Sequence, residues 1–243
     1  MRTIFLFLAA LLASVDVPAQ FSDSVHHQVA IAATGNINRT NDATSSLLSN
    51  TLRYSLRKKT VRLNFNNSWV YGRQGEKLTN NDYNATLDFN LYKTLPHFYY
   101  WGLGSYATSF SLKIEHQAQA GVGAAYNIID HEEGQLNISD GILYERSSIL
   151  VNDTVQEDHR TFRNSFRLQF RYQYAGRITF SGNGFLQHSL SDSRDYLIRA
   201  NVGLALKVYK WISLTAAVAY NRAQRTNREN LLFTYGLTAE RFF

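Results

Sequence analysis

Between Phe162 and Tyr174 apolar and polar residues alternate almost without a break. Phe162, Phe166, Leu168, Phe170, Tyr172 and Tyr174 stand at even positions, and Arg163, Ser165, Arg167, Gln169, Arg171 and Gln173 at odd ones. A period of two puts successive side chains on opposite faces of a β-strand. One such segment would suit a half-solvated soluble sheet, but the pattern recurs along the whole chain and runs to a terminal Phe243. Repeated strands with one apolar and one polar face predict an all-β, antiparallel up-and-down transmembrane β-barrel of about twelve strands.

Twelve alternating segments fall near residues 25–34, 45–57, 60–72, 81–93, 97–109, 113–129, 135–147, 160–174, 176–190, 195–209, 211–223 and 230–243. Short connections are expected at Lys58-Lys59, Thr94-Leu95-Pro96, Asp130 to Gly134, Ala175 and Lys210. Longer ones are expected at Gly35 to Thr44, Arg73 to Asn80, Ser109 to Lys113, Ser148 to His159, Ser191 to Arg194 and Ala223 to Glu229. That sorting predicts short periplasmic turns, longer external loops and both termini in the periplasm. Fifteen Phe, fifteen Tyr and only two Pro are strand chemistry. Mean hydropathy is negative at −0.29, which excludes a bundle of membrane helices but not a barrel, whose two faces cancel in the average.

The N-terminus predicts export. Arg2, an apolar run from Ile4 to Val15 and the small-residue pattern Val17-Pro18-Ala19 read as a secretory signal peptide over 1–19, cleaved after Ala19. The run falls short of the roughly 20 apolar residues that cross a bilayer. Residues 20–243 then form a single barrel domain in the outer membrane of a Gram-negative bacterium. No cysteine is available for a disulfide framework, so the hydrogen-bonded ladder of a closed sheet must supply the stability.

Parity assigns the faces. Val61, Leu63, Phe65, Trp69 and Tyr71 oppose Arg62, Asn64, Asn66 and Ser68, and Tyr196, Ile198, Ala200, Val202 and Leu204 oppose Arg199, Asn201 and Lys207. Extended over the chain, the rule turns Arg53, Arg57, Arg62, Arg163, Arg167, Arg171, Arg177, Arg199 and Lys207 into the lumen, against Asp82, Asp88, Glu115 and Glu145. A positive surplus between low-dielectric walls favours anions. The alternative is a salt-bridged plug without transport, since twelve strands lie between filled and open barrels. Tyr71, Tyr83, Tyr99, Trp101, Tyr126, Tyr174, Tyr196, Trp211 and Tyr220 are expected in interfacial girdles. Asp140 and Arg146 break the rule on the lipid face, through a bulge or a rim position.

Chemistry has little support. His116 faces lipid without a serine beside it, and His188 and Ser189 are strand neighbours that must diverge. No catalytic residue is assigned, and no enzyme, metal, cofactor or nucleic-acid partner is expected. Gly102-Leu103-Gly104, Gly121-Val122-Gly123 and Gly182-Asn183-Gly184 lie in strands and read as close packing or barrel curvature rather than a nucleotide fingerprint.

The last strand places Phe233, Tyr235, Leu237 and Phe243 on one face, and resembles the terminal assembly signal of outer-membrane proteins; Arg241 departs from it. The resemblance implies the barrel assembly machinery and outer-membrane lipid as partners. Gly35-Asn36-Ile37-Asn38-Arg39-Thr40 with Tyr54, Tyr100 to Gly104, Gly121 to Tyr126 and Gly141 to Glu145 resemble the family of salt-induced outer-membrane proteins, a domain-of-unknown-function family. It implies an outer-membrane barrel and brings no substrate and no catalytic residues. The expectation is a narrow pore or solute-facing barrel for small anions. A structural or stress-responsive barrel without transport comes second and a lipid-modifying enzyme third.

Overall fold

A computed structural model of the chain describes residues 26–39, 44–58, 60–92, 97–151 and 155–242. The expected signal peptide over 1–19, with its cleavage after Ala19, and Phe243 lie outside the described residues. Twelve strands follow one another: β1 (His27–Arg39), β2 (Thr44–Lys58), β3 (Val61–Gln74), β4 (Lys77–Leu91), β5 (Phe98–Ser109), β6 (Ile114–Asp130), β7 (Gly134–Val151), β8 (Val155–Tyr174), β9 (Ile178–Ser189), β10 (Tyr196–Tyr209), β11 (Ile212–Ala223) and β12 (Arg228–Phe242). Each pairs antiparallel with its neighbours in sequence, and β12 closes on β1 from Gln28↔Phe242 to Thr34↔Gly236. Closure joins the first strand to the last over this stretch, so ladder donors there find acceptors within the wall; beyond Thr34 and before Gly236 the two strands pair only with β2 and β11.

The outer surface carries the apolar parity. Ile31, Leu52, Leu87, Val122, Ile142, Phe162, Leu204, Leu214, Phe233 and Leu237 are all large, apolar and exposed, Val122 at 69%. A belt of that size has no place in water and is the surface a bilayer covers.

Connection lengths depart from the predicted sorting. At the end of the barrel where β1 begins and β12 finishes, here the terminal end, and at the opposite, distal end alike, two to six residues join the strands. The stretch from Ser148 to His159 is no long loop: β7 and β8 run 18 and 20 residues and pair up to Val151↔Val155. Arg73 to Asn80 closes in two residues, with Gly75 at φ +60° between Gln74 and Lys77, the left-handed position that a tight hairpin requires.

Register explains two further differences. β6 carries bulges between Ile114 and His116 and between Asn127 and Ile129. The first re-aims Glu115, which accepts a hydrogen bond from Gln156 Nε2 at 2.7 Å on the outward parity of Phe162; Glu115 is therefore not a lumenal acid. No bulge rescues Asp140: the β7–β8 register is the same at Ser139↔Arg167 and Ile142↔Asn164. Its carboxylate faces outward midway between Leu136 and Tyr144, accepting bonds from Asn164 Nδ2 at 2.7 Å and the Gly141 amide at 2.8 Å.

Candidate functional site

The interior divides along the axis. Toward the distal end, large side chains reach across the lumen and bond one another. Arg163 of β8 is buried with side-chain exposure of 2% and holds Glu145 of β7 through Nε and Nη2 at 2.8 and 2.9 Å. Its other edge holds Asp195, in the β9–β10 loop, at 3.0–3.1 Å. Gln117 and Gln119 of β6 donate to the same Glu145 oxygen, and Gln119 also donates to Gln187 of β9. Arg199 of β10 crosses to Gln117 Oε1 at 2.5 Å. Two carboxylates and one guanidinium so deeply buried persist because nearly every polar atom is satisfied within the network.

Distal loops complete this closure. Asp195 also meets His159 Nε2 at 3.1 Å and Arg225 of the β11–β12 loop at 3.9 Å, and Arg225 pairs in turn with Glu157 of β8. Asp82 gathers the β5–β6 loop by accepting from Ser109, from the Ser111 amide and from the Ser111 hydroxyl at 2.7–3.0 Å. Asn230 of β12, on the opposite wall, donates to Ser111 at 2.9 Å.

At mid-height Arg167 spans from β8 to Asp88 of β4 at 3.3 Å, donates to Ser139 at 3.1 Å, and lies 6.0 and 5.7 Å from the rings of Trp101 and Phe185. Tyr99 and Trp101 do not join the interfacial girdle. They are 5% and 6% exposed and point inward, packed with Ala125 and Leu143. Trp101 lies over Gly123 and Gly141, where a Cβ on either glycine would collide with its ring, and its indole N–H donates to Ala124 O at 3.2 Å. The close-packing reading therefore holds at Gly121, Gly123 and Gly182, whereas Gly104 and Gly184 face open space.

Toward the terminal end the interior cations stand apart. Arg57 and Arg62 are register partners beside the β2–β3 turn, Arg53 lies two inward positions further along, beyond Ser55, Arg171 is near the end of β8 and Lys207 near the end of β10. Among the described residues none of these five makes an ion pair; Arg171 donates only to Gln173, at 3.3 Å. Arg177 is displaced from its predicted place on the wall: it lies in the turn after Ala175 and Gly176, both at positive φ, and is exposed at the rim.

At mid-height, between Arg199 and Lys207 of β10 and between Leu232 and Glu240 of β12, the inward side chains on β10 to β12 and β1 are small. Gly203, Ala205, Thr215, Ala217, Thr234, Gly236, Thr238, Ala30 and Ala32 follow one another in register. One wall of the lumen is therefore smooth while β4 to β9 fill the other.

Sequence reasoning missed Asp195, Gln117, Gln119, Gln187, His159 and Arg225; Gln119 to Gln187, Arg199 to Gln117 and Arg225 to Glu157 reach across three or more strands, and Asp195 comes from a loop. Phe233, Tyr235 and Leu237 face outward and are exposed. His188 shares the outward row of Asn164 and Tyr196, whereas Ser189 shares the inward row of Arg163 and bonds Thr161 at 2.7 Å.

A family model described as a protein of unknown function, DUF481, matches residues 31–238. No curated protein sequence matches the chain. Among solved structures, the barrel is similar to the NanC porin, with TM-score 0.51 and 11% identity over 89% of this chain and 99% of that one. It also resembles the translocator domain of the autotransporter NalP from Neisseria meningitidis, with TM-score 0.49 and 12% identity over 98% and 94% of the two chains. The KdgM porin in complex with disordered oligogalacturonate follows, with TM-score 0.45 and 12% identity over 87% and 98%.

Proposed function

The chain belongs to the DUF481 family, whose function is unknown, and we propose that it is a narrow outer-membrane channel that draws small anions into a cationic vestibule at its terminal end. The observation that carries this reading is the group of five inward cations, Arg53, Arg57, Arg62, Arg171 and Lys207, none in an ion pair with a described residue. Glu240, which accepts from Gln28, and Asp130 share the inward rows of this end, so the cations remain in excess of the carboxylates, and between low-dielectric walls that excess is focused along the lumen. The smooth wall of β10 to β12 and β1 supplies the passage beside the filled half, and the cross-lumen bonds limit it to small solutes. The terminal end faces the periplasm in this reading.

Replacing Arg53, Arg57 and Arg62 together with glutamine keeps polarity and approximate size while removing three charges. In planar bilayers under a salt gradient the wild type should show an anion-selective reversal potential, and the triple variant one shifted toward zero or toward cations. An unchanged potential would take these residues out of the conduction path. A second reading, a barrel without transport, is favoured by the bond from Asn230 to Ser111 across the distal mouth. It wins if folded wild-type protein produces no channel events.

A further inference from the structure

Arg146 of β7 and Arg160 of β8 are direct register partners on the outward face. Both are exposed, and neither makes a hydrogen bond or ion pair with a described residue. Like charges directly opposite each other on one face of a sheet repel, so the fold gains nothing internal from this pair. Immediately toward the terminal end Tyr144 and Phe162 stack with centroids 5.3 Å apart, and Ile142 and Phe166 follow. The arginines thus mark the edge of the apolar belt, where a charge on the lipid face costs little and headgroups begin.

A groove of about 500 Å³ opens beside them, lined by Arg160, Ile142, Phe162, Leu190, Thr161 and Ser191. One end is cationic and the body is apolar, with Leu190 exposed at 61%. No nearby carboxylate forms an ion pair with either arginine among the described residues. Asp158, two residues beyond Arg160, bonds neither guanidinium; Glu115 accepts from Gln156; Asp192 pairs with Arg194 at 3.6 Å.

We propose that Arg146 and Arg160 bind the phosphate of a membrane lipid whose acyl chain lies in the groove toward Ile142. Two guanidiniums offer a phosphate the forked, charge-assisted geometry it takes best, and the anion relieves their mutual repulsion. The inference rests on the barrel spanning a membrane and is independent of the channel reading.

The test uses folded protein in an uncharged maltoside detergent, with the unfolding midpoint as readout. Short-chain phosphatidic acid should raise the midpoint by about 2–4 °C more than diacylglycerol of the same chain length, the shift typical of one added contact in a domain of this size. Inorganic phosphate at the same concentration should raise it by no more than buffer. Arg146→Gln/Arg160→Gln should lose the difference between the two lipids, and Arg146→Lys/Arg160→Lys, the variant to use if the glutamine pair does not fold, should keep only part of it. Equal effects of the two lipids, an equal effect of inorganic phosphate, or an undiminished difference in the substituted protein would each overturn the proposal.

Discussion

Replacing Arg163 with alanine should destabilise the barrel by about 3–5 kcal/mol, because Glu145 and Asp195 would stay buried without their shared counter-charge. Both carboxylates have side-chain exposure of only 2%, so water cannot take the place of the guanidinium without opening the distal end. The readout is the temperature at which the fast-migrating unboiled form on a detergent gel converts to the boiled mobility. Combining Arg163→Met with Glu145→Leu and Asp195→Leu should recover most of the loss, since an apolar replacement of a buried ionic group leaves no orphaned charge. A conversion temperature unchanged in the alanine variant would mean that the cluster is hydrated.

Gly123→Val should also be strongly damaging. A Cβ there meets both the Trp101 ring and the Asp140 carbonyl oxygen, and only the first can be moved by a side-chain change. Overpacking of this kind costs about 1–3 kcal/mol where neighbours can yield, and the backbone contact puts this site at or beyond the upper end. Trp101→Ala in the same chain should restore part of the folded yield, less than fully because the carbonyl remains. Independent, additive losses in the double variant would show that Trp101 does not cover Gly123.

Much of the wall was legible in the sequence because the bilayer imposes it. All twelve strands fall within a few residues of the alternating segments, and parity turns Arg53, Arg62, Arg163 and Arg199 inward as expected. Legibility fails where the physical cause of the pattern stops. Beyond the belt a strand needs no apolar face, so β7 and β8 keep pairing through polar Ser148 to His159 while the hydropathy signal that marks a strand is gone. Gly75 is a readable hairpin signal, a glycine at the first turn position, but it lies inside a polar run whose composition reads as a loop. Tyr99, Tyr100 and Trp101 put aromatics on both parities, so only the register of Trp101 opposite Gly123 shows which face is buried.

The interior network was legible in its residue types and not in its partners. Arg163, Arg167 and Arg171 stand at every fourth residue of β8, roughly 13 Å apart, and look in sequence like one continuous ladder of free charge. Closure of the barrel separates them: Arg163 is buried against Asp195 from a loop, Arg167 is held by Asp88 from four strands away, and Arg171 makes no ion pair with a described residue. Acids matched two of the three because they could be reached through the lumen, a distance that no local pattern encodes.

The division into a cationic vestibule and a filled distal half can be read from one pair of cysteines, in a chain that has none of its own. Ser181 is the inward register partner of Arg171, and Ser165, 3% exposed, lies beside Gln187 in the filled half. Ser181→Cys should react with an anionic thiosulfonate several-fold faster than with a cationic one of similar size, added salt should narrow the ratio, and Ser165→Cys should react with neither at a comparable rate. Equal rates for the two reagents at Ser181→Cys, or ready labelling at Ser165→Cys, would contradict this division.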